Sequence, residues 1–173
     1  MKHTVLVLAC LSVGCGYSLA GRGSFLPAYI QSVGVPLFQN NTSVFEVEQI
    51  LTREVRTEFI GRGRYKVLPD ATGVDAVLVG TINSIAITPA SFTSDQQASR
   101  YVFTLNASIV FRDLKTDAIV WQNPALVFSE DYEVASGGDA ANVSAFFGQQ
   151  SNAVERIAQD FARAVVSAIL QAF

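Results

Sequence analysis

Five basic side chains fall within fourteen consecutive positions of the sequence, and together they could bind an anion. They are Arg53, Arg56, Arg62, Arg64 and Lys66. The first two are one helical turn apart on one face, and the other three alternate through a turn into a strand, so a shared patch is sterically allowed. The planar fork of arginine suits phosphate groups. The alternative is a solvated helix end, in which Glu58 pairs with the arginine four residues later.

A cysteine near the start of the chain has the surroundings of a lipid attachment site. Lys2 is followed by an apolar run over residues 4–13, broken only by Ser12, and the small residue Gly14 precedes Cys15. This pattern predicts a lipoprotein signal peptide over residues 1–14, too short to span a bilayer. After acylation and cleavage Cys15 would become the first residue, and residues 15–29 would form a tether. An ordinary signal that leaves an unpaired thiol is the alternative.

The remaining residue types exclude most catalytic chemistry. The only histidine, His3, leaves with the signal peptide, so no nucleophile system based on histidine and no zinc site with His or Cys ligands can form. The densest acidic group is Glu130, Asp131 and Glu133. The first two are neighbours in a predicted strand and point to opposite faces, which disfavours a carboxylate hydrolase. We therefore predict no catalytic and no metal-binding residues, and the net charge of −3 argues against nucleic-acid binding.

Two amphipathic helices are predicted from apolar residues that recur every three or four positions. The first spans residues 44–60. Ser43 and Glu46 have the spacing of a capping box at its start, and Gly61 is placed to close it. The second helical region begins after Asp139 as its cap and runs to the end of the chain. Charged residues lie on its other face, so its apolar stripe belongs to a core.

Alternating apolar residues predict five strands around these helices. The first covers residues 30–38, where Pro36 indicates a sheet edge or a strand end. Strands at 65–68 and 75–88 follow, the second with a β-bulge at Asn83-Ser84. Residues 89–99 form a polar hairpin tip between 75–88 and 101–112, and 118–134, interrupted at Asn123-Pro124, completes the meander.

This order of elements predicts one α+β domain over residues 30–173. The expected architecture is a two-layer sandwich, in which two amphipathic helices pack on one face of a mainly antiparallel four- to five-stranded sheet.

Short motifs run in order along the whole mature chain. They are Cys15-Gly16-Tyr17, Leu26-Pro27, Val35-Pro36, Phe38-Gln39-Asn40-Asn41-Thr42, Leu51-Thr52, Asp75-Ala76-Val77-Leu78, Gly80-Thr81-Ile82 and Val120-Trp121-Gln122-Asn123. In order and spacing, they resemble the LptE family of lipopolysaccharide-assembly lipoproteins. The early motifs are also similar to periplasmic lipoproteins that activate cell-wall synthases or build secretion pores, and these remain the alternative.

The LptE resemblance implies an outer-membrane lipoprotein on the periplasmic side, without catalytic activity, that plugs and helps assemble the LptD β-barrel for lipopolysaccharide transport. Its expected partners are LptD, lipopolysaccharide and the membrane, which it reaches through a lipid on Cys15. No cofactor and no nucleic acid are expected. Gly16 after the cysteine agrees with outer-membrane sorting. The five basic residues become candidate contacts for lipopolysaccharide phosphates, and the next candidates are Arg100, Arg112 and Lys115.

Overall fold

The computed structural model describes residues 26–92, 98–133 and 151–172. In chain order, their elements are β1 (Ser32–Gly34), β2 (Gln39–Asn40), α1 (Val47–Gly61), β3 (Lys66–Leu68), β4 (Ala76–Phe92), β5 (Ala98–Asp113), β6 (Ile119–Glu133) and α2 (Ser151–Leu170). The two helices pack against each other and against one face of the sheet. The two-layer α+β arrangement predicted from the sequence is therefore confirmed. The predicted cap Asp139 lies outside the described residues.

The sheet is mainly antiparallel, as predicted, but it is mixed, because its short strands pair in parallel. Its order is β3-β1-β4-β5-β6, and β2 pairs with a further part of β4. Strands β1 and β3 are parallel, because the chain between them passes through α1 and returns in the same direction. The pairs β1-β4 and β2-β4 are parallel as well. The long strands β4, β5 and β6 form the predicted antiparallel meander, with the predicted bulge between Ile82 and Ser84.

The first predicted strand is shorter than expected and does not lie at an edge. Instead of one strand over residues 30–38, β1 ends at Gly34 and lies between β3 and β4. Pro36, which has no backbone N–H to donate, follows the end of β1, and the chain pairs again only at β2. Gly34 admits a close approach of the loop after β3, since a Cβ there would lie 2.3 Å from the carbonyl oxygen of Asp70.

Both ends of α1 differ from the sequence prediction. The capping box is wrong, because Glu46 precedes the helix with a φ of 65° and its side chain makes no capping hydrogen bond. Asn40 stabilises this region instead: its amide donates to the Val44 carbonyl oxygen at 2.7 Å and to Glu48 Oε2 at 2.8 Å. At the other end, Gly61 is the last helical residue, and Gly63 takes the positive φ of 68° at which glycine has no Cβ to clash.

The hydrophobic core lies between the helices and the face of the meander that they cover. Phe59 of α1 stacks on Phe111 of β5 with ring centroids 6.3 Å apart, and Phe161 of α2 meets the ring of Phe128 on β6 edge to face at 5.8 Å. These contacts place the predicted apolar stripes in the core, as expected. Neither helix in the described part of the chain is long and apolar enough to cross a membrane.

Candidate functional site

Arg56, one of the five predicted phosphate contacts, binds the protein backbone. Its Nε and Nη2 atoms donate to the Val35 carbonyl oxygen at 2.9 and 2.7 Å, and Nη2 also lies 3.3 Å from the carbonyl oxygen of Pro69. These bonds tie α1 to the chain segments that follow β1 and β3. Because the guanidinium group donates to two backbone carbonyl oxygens of neighbouring segments, Arg56 stabilises the packing of α1.

Arg53 is directed to carboxylates rather than toward Arg56. Its Nε lies 2.9 Å from Glu54 Oε1, and its Nη2 lies 3.9 Å from Glu155 Oε1 on α2. Although the two arginines are one helical turn apart, their guanidinium groups therefore have different partners. Sequence spacing correctly places them on one helix, but it does not predict the direction of two long, flexible side chains.

The other three predicted contacts lie together between the end of α1 and β3. Arg62 pairs with Glu58 at 2.6 Å, as expected for the alternative of a solvated helix end. It also donates a hydrogen bond to Ser167 Oγ on α2 at 2.9 Å. Arg64 and Lys66 follow at alternate positions, and both are exposed. We call Arg62, Arg64 and Lys66 the basic end. Phosphate binding by these residues stays a prediction.

A set of polar side chains that sequence reasoning missed joins the N-terminal segment to the sheet. Asp75 precedes β4 and accepts hydrogen bonds from Ser32 Oγ at 2.7 Å and from the backbone N–H groups of Ser32 and Gln31 at 2.9 and 3.0 Å. Lys115 lies in the β5–β6 turn, and its Nζ is 2.9 Å from the other carboxylate oxygen of Asp75, Oδ1. Lys115, Ser32 and the Gln31 backbone hold the pKa of Asp75 well below its usual range, so it stays ionised.

A second carboxylate extends this set. Asp113 is only 1% exposed and accepts from Tyr29 Oη at 2.5 Å, from Thr116 Oγ1 at 2.8 Å and from the Lys115 backbone N–H at 2.7 Å. The hydrogen bond from Tyr29 is the main cause that lowers the pKa of Asp113 and raises the pKa of Tyr29. We call Tyr29, Ser32, Asp75, Asp113 and Lys115 the clamp.

Part of the segment predicted as a tether belongs to the folded body. Of the segment predicted as a tether over residues 15–29, the structure describes 26–29, and within these Leu26 is buried in the core. Lys115 Nζ also lies 5.3 Å from the centre of the Tyr29 ring. The motif that begins with Asp75 was the only sign of the clamp in the sequence. The partners of Asp75 are Ser32, 43 positions earlier, and Lys115, 40 positions later, so sequence spacing could not identify them.

Three residues from different sequence motifs meet in a second contact. The ring of Phe38 lies against Gly80 of β4, where an added Cβ would come within 2.8 Å of the ring carbons. The Phe38 backbone N–H donates to Thr52 Oγ1 at 3.0 Å, and Thr52 donates to the Glu48 carbonyl oxygen at 2.6 Å. The motifs around these residues therefore contribute to the packing of the segment between β1 and α1.

A cavity of about 500 Å³ lies toward the hairpin tip of β4 and β5. Its lining includes Arg100, Glu130, Asp131, Tyr132 and Arg156. Glu130 pairs in register with the buried Phe103 and Asp131 with Val102, so the two carboxylates alternate between faces, as predicted. Because the cavity combines two arginines with two carboxylates, it has no single charge that would select an anion or a cation. In the described residues, no three His, Cys, Asp or Glu side chains are placed to hold a metal ion.

The face of the meander that points away from the helices is almost uncharged. We define this open face by the outward side chains of residues 77–88 of β4, 102–112 of β5 and 119–131 of β6. Its centre carries hydroxyl and amide groups that bond across strands: Asn106 donates to Ser84 Oγ at 2.8 Å, and Thr104 Oγ1 lies 3.2 Å from Ser129 Oγ. Within these ranges only Arg112 and Asp131 point outward with a charge, and both lie near strand ends.

The comparisons with known proteins agree with the fold and identify the family. A family model described as LptE, lipopolysaccharide-assembly, matches residues 30–169. A search of curated proteins finds no match. Among solved structures, the protein XCC0632 from Xanthomonas campestris is 13% identical over 84% of this chain and 87% of that chain, with a TM-score of 0.56.

Two further structures are similar to this chain. The protein CT253 from Chlamydia trachomatis is 9% identical over 80% of this chain and 95% of that chain, with a TM-score of 0.54. Rare lipoprotein B from Shewanella oneidensis is 15% identical over 78% of this chain and 92% of that chain, with a TM-score of 0.49. The likenesses to XCC0632 and CT253 show the fold alone. Because the family model spans β1 to the last turn of α2, the chain belongs to the LptE family of lipopolysaccharide-assembly proteins.

Proposed function

We propose that this protein is an outer-membrane lipoprotein that plugs the LptD β-barrel, helps to assemble it, and so serves lipopolysaccharide transport to the cell surface. The observation that carries the proposal is the match of the LptE family model to residues 30–169, which covers both helices and the whole meander. In this proposal the protein has no catalytic role and no cofactor. A lipid on Cys15 holds it at the periplasmic side of the outer membrane.

The open face is the surface that suits a barrel interior. The inward-facing side chains of large outer-membrane barrels are polar. A face of hydroxyl, amide and small apolar groups can be covered by such a wall without burying an unpaired charge, which would be costly. The exposed side chain of Val127, at 60% exposure, adds apolar area at the centre of this face. We therefore place the barrel contact on β4, β5 and β6 rather than on the helices.

A pull-down from detergent-solubilised outer membrane tests the barrel contact. The wild-type chain should retain an LptD-type barrel, and Asn106→Arg/Val127→Arg should lose most of it, because two buried guanidinium groups would lack partners. The matched control Thr57→Arg/Gln159→Arg adds the same charge at exposed positions of α1 and α2 and should retain the barrel.

The outcomes of this pull-down separate the alternatives. Recovery of no barrel with the wild-type chain would refute the plug. Recovery of a cell-wall synthase or a secretion pore instead would support the alternative function. If only the helix control loses the barrel, the contact lies on the helices and the open face is not the docking surface.

The proposed contacts with lipopolysaccharide phosphates now concern the basic end alone. Arg56 binds two backbone carbonyls and Arg53 is directed to Glu54 and Glu155. The proposal therefore keeps the three residues that lie together, of which Arg62 also pairs with Glu58. In a binding assay with purified lipopolysaccharide, Arg62→Glu/Arg64→Glu should weaken a salt-sensitive interaction while the fold is kept. Unchanged binding would shift attention to the next candidates, Arg100, Arg112 and Lys115.

A further inference from the structure

The most exposed large apolar residue in the described part of the chain is Phe45, in the loop between β2 and α1. It is 87% exposed, whereas Val44 directly before it is buried in the core. An aromatic ring in water keeps a large apolar area unburied, and burial of that area would be favourable. Phe45 therefore adds little to the core of the body, and its ring is available to fill an apolar pocket of another molecule.

Hydrogen bonds hold the loop that presents this ring in one shape. The side-chain oxygen of Asn40 accepts from the backbone N–H and the hydroxyl of Thr42 at 2.9 and 2.8 Å, while its amide donates to the Val44 carbonyl and to Glu48. Glu46 completes the turn with its positive φ, which is costly for a residue that carries a Cβ. Such strain persists only where the surrounding structure fixes it, and it is common where a ligand or partner binds. The loop therefore presents a preorganised ring.

The loop lies at the rim of the open face. β2 pairs with β4 on the side away from β5, and the outward hydroxyl of Thr81 donates to Gln39 Oε1 at 3.5 Å. Leu37 lies two positions before Gln39, Val79 lies two positions before Thr81, and both are exposed. The register of β2 and β4 therefore places two exposed apolar side chains next to the strand that leads into the loop of Phe45. The apolar surface of the open face continues to this edge of the sheet.

The charges around Phe45 favour a protein partner over a membrane surface. Between Leu26 and Thr52 the sequence has no basic residue, and its only charged residues are Glu46 and Glu48. Glu46 is exposed and follows Phe45 directly. Anionic lipid headgroups would repel these carboxylates. A basic side chain at the mouth of a protein pocket would attract Glu46 instead.

We propose that Phe45 is an anchor of the barrel contact: its ring inserts into an apolar pocket of the LptD-type barrel, and Glu46 pairs with a Lys or Arg at the mouth of that pocket. The proposal rests on the proposed function and adds to it a contact beside the open face. A few buried anchors, aromatic ones above all, carry most of the binding energy of a protein interface. A ring that Asn40 and Glu46 already hold in place loses little freedom when it docks.

Barrel recovery from detergent-solubilised outer membrane tests the anchor. Phe45→Ser should retain about a tenth or less of the barrel that the wild-type chain retains, because the pocket is left unfilled. The matched control Ile60→Ser replaces another exposed apolar residue, 59% exposed near the end of α1, and should retain the barrel. The urea midpoint of Phe45→Ser should equal that of the wild type, since the ring lies outside the core. Glu46→Gln should weaken the contact and make it less sensitive to salt.

Site-specific cross-linking covers the case in which Phe45→Ser does not fold, because it keeps an aromatic group at the position. Benzoylphenylalanine in place of Phe45 should cross-link to the barrel, and in place of Ile60 it should not. Cross-links from position 45 only to a second copy of this chain, or only to lipid, would overturn the proposal. A clearly lower urea midpoint of Phe45→Ser would also overturn it, because the ring would then belong to the fold.

The recovery assay distinguishes the anchor from the plug. If the wild-type chain and Phe45→Ser retain the barrel equally, the anchor is refuted and the plug stands. If the wild-type chain retains no barrel, the plug is refuted and the anchor with it. Loss of the barrel with Phe45→Ser but not with Asn106→Arg/Val127→Arg would support the anchor and remove the open face from the contact.

Discussion

Phe161 offers the sharpest test of how the helix layer stabilises the body. Its side chain is 0% exposed, and its ring meets Phe128 of β6 edge to face. Phe161→Ala removes these apolar contacts and leaves a cavity, so it should lower the free energy of unfolding by about 3 to 5 kcal/mol. Of this loss, about 0.5 to 1.5 kcal/mol belongs to the aromatic pair itself.

Urea denaturation of the unlipidated mature chain measures this loss. Trp121 is the only tryptophan, pairs in register with Phe111 and is partly buried against the core, so its fluorescence reports unfolding. With an m-value of about 2 kcal/mol per molar urea, the midpoint should fall by roughly 1.5 to 2.5 M. In a thermal melt, the same loss corresponds to about 6 to 20 °C for a domain of this size.

Two controls identify the cause of the loss. Phe161→Leu keeps most of the volume and should cost less than the alanine variant. Arg163→Ala, two positions away on the exposed face, should change stability by no more than about 0.5 kcal/mol. A loss below about 1 kcal/mol in Phe161→Ala would refute the reasoning, because the apolar stripe of α2 would then not hold the sheet and helices together.

Three further predictions concern the anchor, a motif glycine and the clamp. Cys15→Ala should release the protein into the soluble periplasmic fraction, and labelling with a fatty-acid probe should mark only the wild type; an unlabelled wild type would refute the anchor. Gly80→Ala should cost about 1 to 3 kcal/mol in urea denaturation, because its Cβ would clash with the Phe38 ring, and Phe38→Leu should relieve part of that cost. The lowered pKa values of Asp75 and Asp113 mean that folding favours their ionised forms. Their contribution to stability is therefore present above the ordinary carboxyl pKa of about 3.9 and is lost as the pH falls below it. The urea midpoint should drop over this range, and a midpoint that stays constant, or a drop that Asp75→Asn leaves unchanged, would contradict the role of the clamp.

The features that were predicted best depend only on residues close together in the sequence. The apolar stripe of α1, the bulge at Ser84 and the long strand β5 all follow from a period of two or nearly four residues, which the backbone geometry itself imposes. The helix ends were predicted poorly for the opposite reason. The spacing of Ser43 and Glu46 fits a capping box, but Asn40 stabilises the turn before α1 and leaves that box unformed.

The sequence by itself determined the family motifs, the periodic elements and the single histidine at position 3. Only the tertiary structure decided which charged groups belong to the fold and which face outward. Arg56 reaches the Val35 carbonyl, 21 positions away, and Tyr29 reaches Asp113 across 84 positions. A side chain's charge and its spacing on one element are local properties, but its partner depends on which distant segments the core brings beside it. For this reason the sequence could show that five basic residues lie close together along the chain. Only the packed sheet and helices could show which protein groups each of them contacts.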